Sequence, residues 1–188
     1  MGQKSNVSEQ TDEEIARLVQ SGDVDLFGEI VERYEEKIKR YGRKFLSDFQ
    51  DIEDVVQDVF IKAYQNIQSF DIKRKFSSWL YRIAHNEFIN ALKKQKKKPL
   101  PLFELDVLLP YSSAEEVNKN LDNQEIFKDI DKYLNNLSLK YREPFILYYV
   151  EELSYKEISD VLRIPISTVG IRLKRAKEKL KNKINEQK

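Results

Sequence analysis

Pro165 divides a stretch of the chain in a way that few folds accommodate. Before it, Ser154-Tyr-Lys-Glu-Ile-Ser-Asp-Val-Leu162 has helical periodicity, with Ile158, Val161 and Leu162 on one face. Ser154 and Glu157 are spaced as a capping box, in which each side chain satisfies the other residue's backbone amide. Pro165 disfavours helical geometry at Ile164, so the first helix must stop there. A second helix then begins with Ser167 or Thr168 as its cap, and Val169, Leu173, Ala176 and Leu180 recur at steps of four, three and four. The opposite side carries Ile171, Arg172, Lys174, Arg175 and Lys179. Two short amphipathic helices around a tight turn, the second cationic on its outer side, form the pattern of a helix-turn-helix that lays its second helix in a DNA groove. Short basic helices are also common as ordinary solvated faces, and that alternative stands on these residues alone.

Composition narrows the rest. The 188 residues suffice for one large or two small domains, the chain has no cysteine for disulfides or thiolate metal sites, and a single histidine, His85, rules out a histidine-rich metal centre. No catalytic, cofactor-binding or metal-binding residues are expected, and an enzyme that processes nucleic acid lacks a plausible constellation. The opening Met1 to Gln10 lacks a signal-peptide core and no stretch is of membrane-spanning length, so a cytoplasmic protein without membrane insertion is expected. The net charge of +1 conceals segregation: Arg163 to Lys188 holds nine Lys or Arg against two Glu, whereas Pro99 to Asp131 holds eight acids against Lys119 and Lys128.

The amino-terminal third is helical throughout. Thr11 and Glu14 form another capping box, Ser21-Gly-Asp23 breaks the chain, and Leu26, Phe27, Ile30, Val31, Tyr34, Ile38 and Tyr41 follow at helical spacing. A helix from Ile52 buries Val55, Val56, Val59, Phe60, Ala63 and Ile67, leaving Asp54, Gln57, Asp58 and Ile61 on its outer face. That face is either a solvated surface or a dock for a basic helical partner. Pro99 to Tyr111 is proline-broken and apolar, and from about Asn123 a helix with Ile126, Phe127, Ile130, Tyr133 and Leu134 leads into Leu137 to Val150. The expected architecture is all-α, with two small helical domains, 1–98 and 123–188, joined by a linker over 99–122.

Leu153-Ser-Tyr-x-Glu-Ile158, Pro165-x-x-Thr-Val169 and Arg172-x-x-Arg-Ala-x-x-x-Leu180 together resemble the fourth region of bacterial sigma factors. Asp51-x-Glu-Asp-x-Val-Gln57-Asp-Val-Phe60, Phe70-Asp71 and Phe76-x-x-Trp-Leu-Tyr-Arg-Ile-Ala-x-Asn86 resemble the second region of the extracytoplasmic-function group. The two stand in family order. The resemblance implies a sigma factor that binds core RNA polymerase through its clamp coiled coil and flap, and that binds promoter DNA, with an anti-sigma factor as a further candidate partner. It assigns Asp54, Gln57, Asp58 and Ile61 to polymerase, and Phe70, Lys73, Arg74, Lys75 and Asn86 to promoter opening. It assigns Thr168, Gly170, Ile171, Arg172, Lys174 and Arg175 to the upstream duplex. Phe70 and Phe76 can stack a base flipped from the strand or plug the loop ends, and their identity alone does not choose between these roles. Trp79 and Leu80 are expected in the core. Lys93, Lys94, Lys96, Lys97 and Lys98 continue the basic stripe.

The chain also departs from the family pattern. Asn90 and Lys93 stand where Asp and Arg are usual, and Arg163 replaces the turn glycine. Gly170 and Ile171 replace a basic-polar pair, so base preference cannot be carried over. The alternative function is an autonomous helix-turn-helix regulator that binds duplex DNA without polymerase.

Overall fold

The structure, a computed structural model, describes residues 10–96, 134 and 137–185. The apolar stretch 99–111, the expected helix from Asn123 to Tyr133, and Lys97 and Lys98 lie outside the described residues. Every regular element among the described residues is helical. None of these helices is long and apolar enough to cross a membrane. The chain divides into two compact units, Met1–Lys98 and Pro99–Lys188.

In the first unit, α1 (Asp12–Gln20) opens on the expected capping box: Thr11 Oγ1 accepts the Glu14 amide at 3.3 Å, and Glu14 Oε2 accepts the Thr11 amide at 2.8 Å. Helix α1 ends where Gly22 takes φ +111°, a conformation that L side chains rarely adopt. A 3-10 turn (Val24–Leu26) leads into α2 (Phe27–Gly42), which buries Phe27, Ile30, Tyr34, Ile38 and Tyr41. Leu26 and Val31, expected in the core, are half-buried.

Helix α3 (Phe49–Asn66) starts three residues earlier than its apolar periodicity predicts, because Asp48 accepts the Asp51 amide at 3.0 Å and caps it. Its buried stripe is Ile52, Val56, Val59, Phe60 and Ala63, while Val55 is half-buried at the edge. A second 3-10 turn (Ile67–Ser69) and the loop 70–75 lead to α4 (Phe76–Lys96), which packs on α1, α2 and α3. Phe76, Leu80, Tyr81, Ala84, Phe88 and Leu92 of α4 are buried, and Trp79 lies half-buried at the edge of that stripe.

The centre of this unit is aromatic. Tyr41 meets Phe45, Tyr81 and Phe88 edge-on at centroid distances of 5.0, 5.4 and 6.1 Å, and Phe45 stacks on Phe88 at 5.5 Å. Edge-to-face and offset pairs at these distances add about 0.5–1.5 kcal/mol each beyond area burial. Tyr34 lies nearby, its hydroxyl donating to Asp12 Oδ2 at 2.5 Å, and burial first, then that carboxylate, pushes its phenol up from the ordinary range.

In the second unit, α5 (Leu139–Tyr149) and α6 (Tyr155–Leu162) pack against α7 (Ile166–Asn185). Ile146 and Leu147 of α5, Ile158 and Val161 of α6, and Val169, Leu173, Ala176 and Leu180 of α7 form the core. Ser154 Oγ accepts the Glu157 amide at 3.3 Å and Glu157 Oε2 accepts the Ser154 amide at 2.7 Å, so the second capping box forms as its spacing predicts.

Glycine is required at position 42 by contact rather than by backbone angle. An added Cβ would lie 2.6 Å from Phe88 Cε1 and 3.2 Å from Ile52 Cγ2. Gly42→Ala gains about 1 kcal/mol of helix propensity, but overpacking against a ring that is fully buried costs about 1–3 kcal/mol. The thermal midpoint should therefore fall, and Phe88→Leu placed in the Gly42→Ala background should recover part of the loss. A raised midpoint for Gly42→Ala alone would show that the Phe88 ring can yield.

Candidate functional site

Three surfaces gather the residues that the sequence singles out. The first is the outer face of α3. Asp54, Gln57, Asp58 and Ile61 are all exposed, Ile61 at 53%. Tyr64, one turn beyond Ile61, continues the row at 43% exposure, its ring meeting Phe27 edge-on at 5.2 Å. It is visible in the sequence as the next step of the series 54, 57, 61, 64. Beside this row, α3 and α4 bound an open groove of about 730 Å³ whose lining includes Asp51, Asp54, Asp58 and Glu87, with Lys94 on its wall. Gln95 Nε2 donates to Asp51 Oδ2 at 2.7 Å across it, and Lys62 pairs with Glu87. Asp54 and Asp58 of the row thus line a concave and largely acidic wall, and Gln57, Ile61 and Tyr64 are exposed outside its lining.

The second surface is the loop 71–75 with the following helix. Here the stacking expectation for Phe70 is corrected. The Phe70 ring is only 4% exposed and packs on Phe76 and Trp79, each at 5.2 Å, while Phe76 is fully buried and meets Trp79 at 5.4 Å. An aromatic ring held on these sides has no face for a base, so both phenylalanines are loop-end plugs. Lys73, Arg74 and Lys75 are exposed, and the apolar group among them is Ile72, at 41%. Asp71 organises the turn: its Oδ1 accepts the Lys73 amide at 3.0 Å, its carbonyl accepts the Arg74 amide at 2.9 Å, and Arg74 Nε lies 3.8 Å from its Oδ2. Asn86 is half-buried on the stripe of Trp79, Ile83 and Asn90. It lies ten residues into α4, about 15 Å along the axis from Phe76, so the structure does not bring it together with the loop. Lys93 and Lys94 are exposed farther along α4, and nothing is described of the Lys96 side chain.

The third surface is α7. Arg163 ends α6 in the left-handed conformation (φ 52°, ψ 45°), so the geometry usual for glycine persists without glycine. Ser159 fastens the turn, its hydroxyl donating to the Ile164 carbonyl at 2.5 Å and its carbonyl accepting the Ile164 amide at 3.2 Å. Helix α7 begins at Ile166, so Ser167 and Thr168 lie inside its first turn rather than capping it. Pro165 explains the shift: its carbonyl accepts the Val169 amide at 3.1 Å, and its fixed φ favours helix entry here.

The six residues expected on duplex DNA do not share one face. At about 100° per residue, Gly170 and Arg172 point about 160° apart. Gly170 flanks α6, where a Cβ would sit 3.5 Å from Tyr155 Cε2. Thr168 and Arg172 are half-buried on the other flank. Ile171 (53% exposed), Lys174 and Arg175 are outermost, together with Ser167, which the residue pattern allows only as a cap.

The cations of α7 are also unequal. Arg175 acts on the Tyr141 hydroxyl, and this interaction first, then the charges of Lys140, Arg175 and Lys179, lowers that phenol below its ordinary value. Lys179 Nζ sits 5.7 Å from the Tyr141 ring centroid, and Lys177 Nζ 5.1 Å from that of Tyr149. Its interaction with the Tyr149 phenol first, then with the nearby phenols, raises Lys177 above the usual ammonium range.

Comparison with known proteins matches the segments that carry these surfaces. The family description "Sigma-70 region 2" matches residues 30–98 and "Sigma-70, region 4" matches residues 127–180. The chain is 38% identical over 179 residues to the ECF RNA polymerase sigma factor SigW of Bacillus subtilis, across 90% of this chain and 95% of that one. It is 33% identical over 187 residues to the ECF RNA polymerase sigma-E factor of Escherichia coli K12, across 95% and 97%. The sigma factor RpoE of Bartonella quintana, solved in complex with the anti-sigma factor NepR, aligns at TM-score 0.68 and 26% identity, covering 85% of this chain and 96% of that one.

The two sides of the α6–α7 unit predict distinct variants. Arg163→Gly should raise the thermal stability of this unit by up to about 1 kcal/mol, by relieving left-handed strain at a residue with a Cβ. Val169→Asp should unfold it, because the charge enters the core without a partner. Calorimetry on the full chain distinguishes these outcomes, and a lower midpoint for Arg163→Gly would place the turn's stabilisation in the arginine side chain.

Proposed function

The chain belongs to the extracytoplasmic-function group of RNA polymerase sigma factors, in the sigma-70 family, and from that membership we propose how its surfaces divide promoter recognition. A sigma factor acts in transcription initiation with RNA polymerase. In the proposed division the first unit docks on the clamp coiled coil of core polymerase and captures the opened strand of the −10 element. The second unit reads the −35 element as duplex, close to the polymerase flap. The work is that of a DNA-binding regulator in the cytoplasm.

The observation that carries this reading is the exposed row Asp54, Gln57, Asp58 and Ile61, of which Asp54 and Asp58 line the acidic groove. A solvated face needs neither an exposed isoleucine and tyrosine at its end nor a concave wall beside it, whereas a docking face for a basic helix uses both. Lys73, Arg74 and Lys75 supply phosphate contacts in a loop whose ends are fixed, and Ile72 supplies its apolar contact. Asn86, about 15 Å along α4, serves a different nucleotide from the loop, where its amide can bond a base edge. On α7, Ser167, Ile171, Lys174 and Arg175 face the major groove, while Thr168 and Arg172 reach its sides. Gly170 spaces the helix from Tyr155. The Bartonella relative's anti-sigma partner supports a protein partner of that class here.

Run-off transcription with purified bacterial core polymerase on genomic fragments tests the assignment. The wild-type chain should produce discrete promoter-dependent transcripts. Asp54→Lys with Asp58→Lys should abolish them and weaken core binding in titration while leaving helix content intact. Arg175→Ala should retain core binding and lose up to about 1–3 kcal/mol of promoter affinity, the value of a bidentate base contact. Undiminished core binding by the charge-reversed variant would overturn the docking face, and tight specific duplex binding without polymerase would favour an autonomous regulator.

A further inference from the structure

Helix α1 touches both ends of the loop 71–75 with side chains that its own packing does not require. Its buried residues, Ile15, Ala16 and Val19, attach it to the first unit. At its carboxyl end, Gln20 Nε2 donates to the Ile67 carbonyl at 2.7 Å and to the Phe70 carbonyl at 2.9 Å, using both amide hydrogens. Gln68 Nε2 returns a bond to the Gln20 carbonyl at 3.2 Å. Near its amino end, Glu13 Oε1 accepts the Phe76 amide at 2.9 Å. That amide is one of the four at the start of α4 that lack an intrahelical partner, and a carboxylate there also complements the helix dipole. Gln20 and Glu13 are both half-buried, and their backbone positions are about 10 Å apart along α1.

From this geometry we propose that α1 is a brace that presets the strand-capturing loop, and that Gln20 and Glu13 are positioning residues for promoter opening. The inference rests on the reading of loop 71–75 as the strand-capture element. Phe70 and Phe76 plug the core, but a buried ring leaves its own backbone carbonyl or amide to be satisfied separately. Gln20 takes the carbonyl at the near end and Glu13 the amide at the far end. Both ends of the five-residue span are therefore tied to one rod. Asp71 folds the interior of the loop onto itself, so Ile72, Lys73, Arg74 and Lys75 are presented in a fixed order before any nucleic acid arrives. A loop ordered in advance loses less freedom on binding, which favours capture without adding a contact to the strand. Neither Gln20 nor Glu13 touches the strand in this scheme.

The test uses holoenzyme assembled from full-length protein and bacterial core polymerase on a promoter identified by run-off transcription, with 2-aminopurine in the non-template −10 strand. Gln20→Leu, close in shape but unable to donate, and Glu13→Ala should each slow opening on the order of 10-fold. Both should flatten discrimination at the nucleotide read by the loop. Discrimination at the nucleotide read by Asn86 and core affinity should not change. Glu13→Gln retains an oxygen that can accept the Phe76 amide and should open at nearly the wild-type rate, an outcome that a purely electrostatic role for Glu13 would not give. If Gln20→Leu fails to fold, the Glu13→Ala and Glu13→Gln pair decides alone. A variant with Lys73, Arg74 and Lys75 all replaced by Ala separates the two levels of the argument. Wild-type opening by that variant would remove the capture role of the loop itself. Slow opening by that variant together with wild-type opening and discrimination in Gln20→Leu and Glu13→Ala would leave the loop its role and overturn the brace.

Discussion

The approach of α2 to α4 at Gly42 fixes the geometry on which the first unit depends. With no Cβ at that position, the Phe88 ring lies directly against the α2 backbone, and Phe45 stacks on its neighbouring face. Tyr41 joins Tyr81 from the same seam, so four rings close a core that aliphatic side chains of similar number would fill less rigidly. The placement of α4 follows from this contact. Because α4 begins at Phe76, its placement sets the anchor of the loop before it; because it forms one wall of the acidic groove, it also sets the shape beside Asp54 and Asp58. One small residue thus constrains two surfaces at opposite ends of a 21-residue helix.

Charge in the second unit is distributed by partner rather than by sequence. The cations that follow the break at Pro165 look alike as composition, but on the folded helix they divide into groups with different freedom. Arg175 and Lys179 lean on Tyr141, and Lys177 leans on Tyr149, whereas Lys174 is exposed on the outermost face. In the proposed division, a guanidinium that leans on a phenol is oriented before it meets a base, while a lysine on the outer face serves as a flexible point charge for phosphate.

What the sequence discloses is mostly what is local. The capping boxes at Thr11 and Ser154 each depend on two residues three apart, and both form. The core stripes of α2, α3 and α7 follow from helical periodicity, with Val55, Leu26 and Val31 displaced only at the stripe edges, where a small rotation decides burial. The role of Phe70 is not legible, because an aromatic residue at a loop end is buried or exposed according to elements distant in sequence, here Trp79 and the α1 helix. The contact between Tyr141 and Arg175 joins the first helix of its unit to the last and leaves no periodic trace. The start of α7 departs from the residue pattern for a different reason: Ser and Thr are favoured caps, but the proline before Ile166 already supplies the entry geometry. The left-handed turn at Arg163 is legible only as a conditional, since the residue itself argues against the conformation it adopts.

The bracing of the loop has a reciprocal side. Helix α1 has nine residues, fewer than an isolated helix needs to persist in water. Its order is therefore borrowed from what it touches, including the carbonyls of Ile67 and Phe70 and the amide of Phe76. Coupling free energy has no direction: whatever α1 contributes to the order of the loop, the loop contributes equally to the order of α1. In the proposed scheme, occupancy of the loop thus protects backbone amides in α1 from exchange with solvent, which makes α1 a remote reporter of events at residues 71–75.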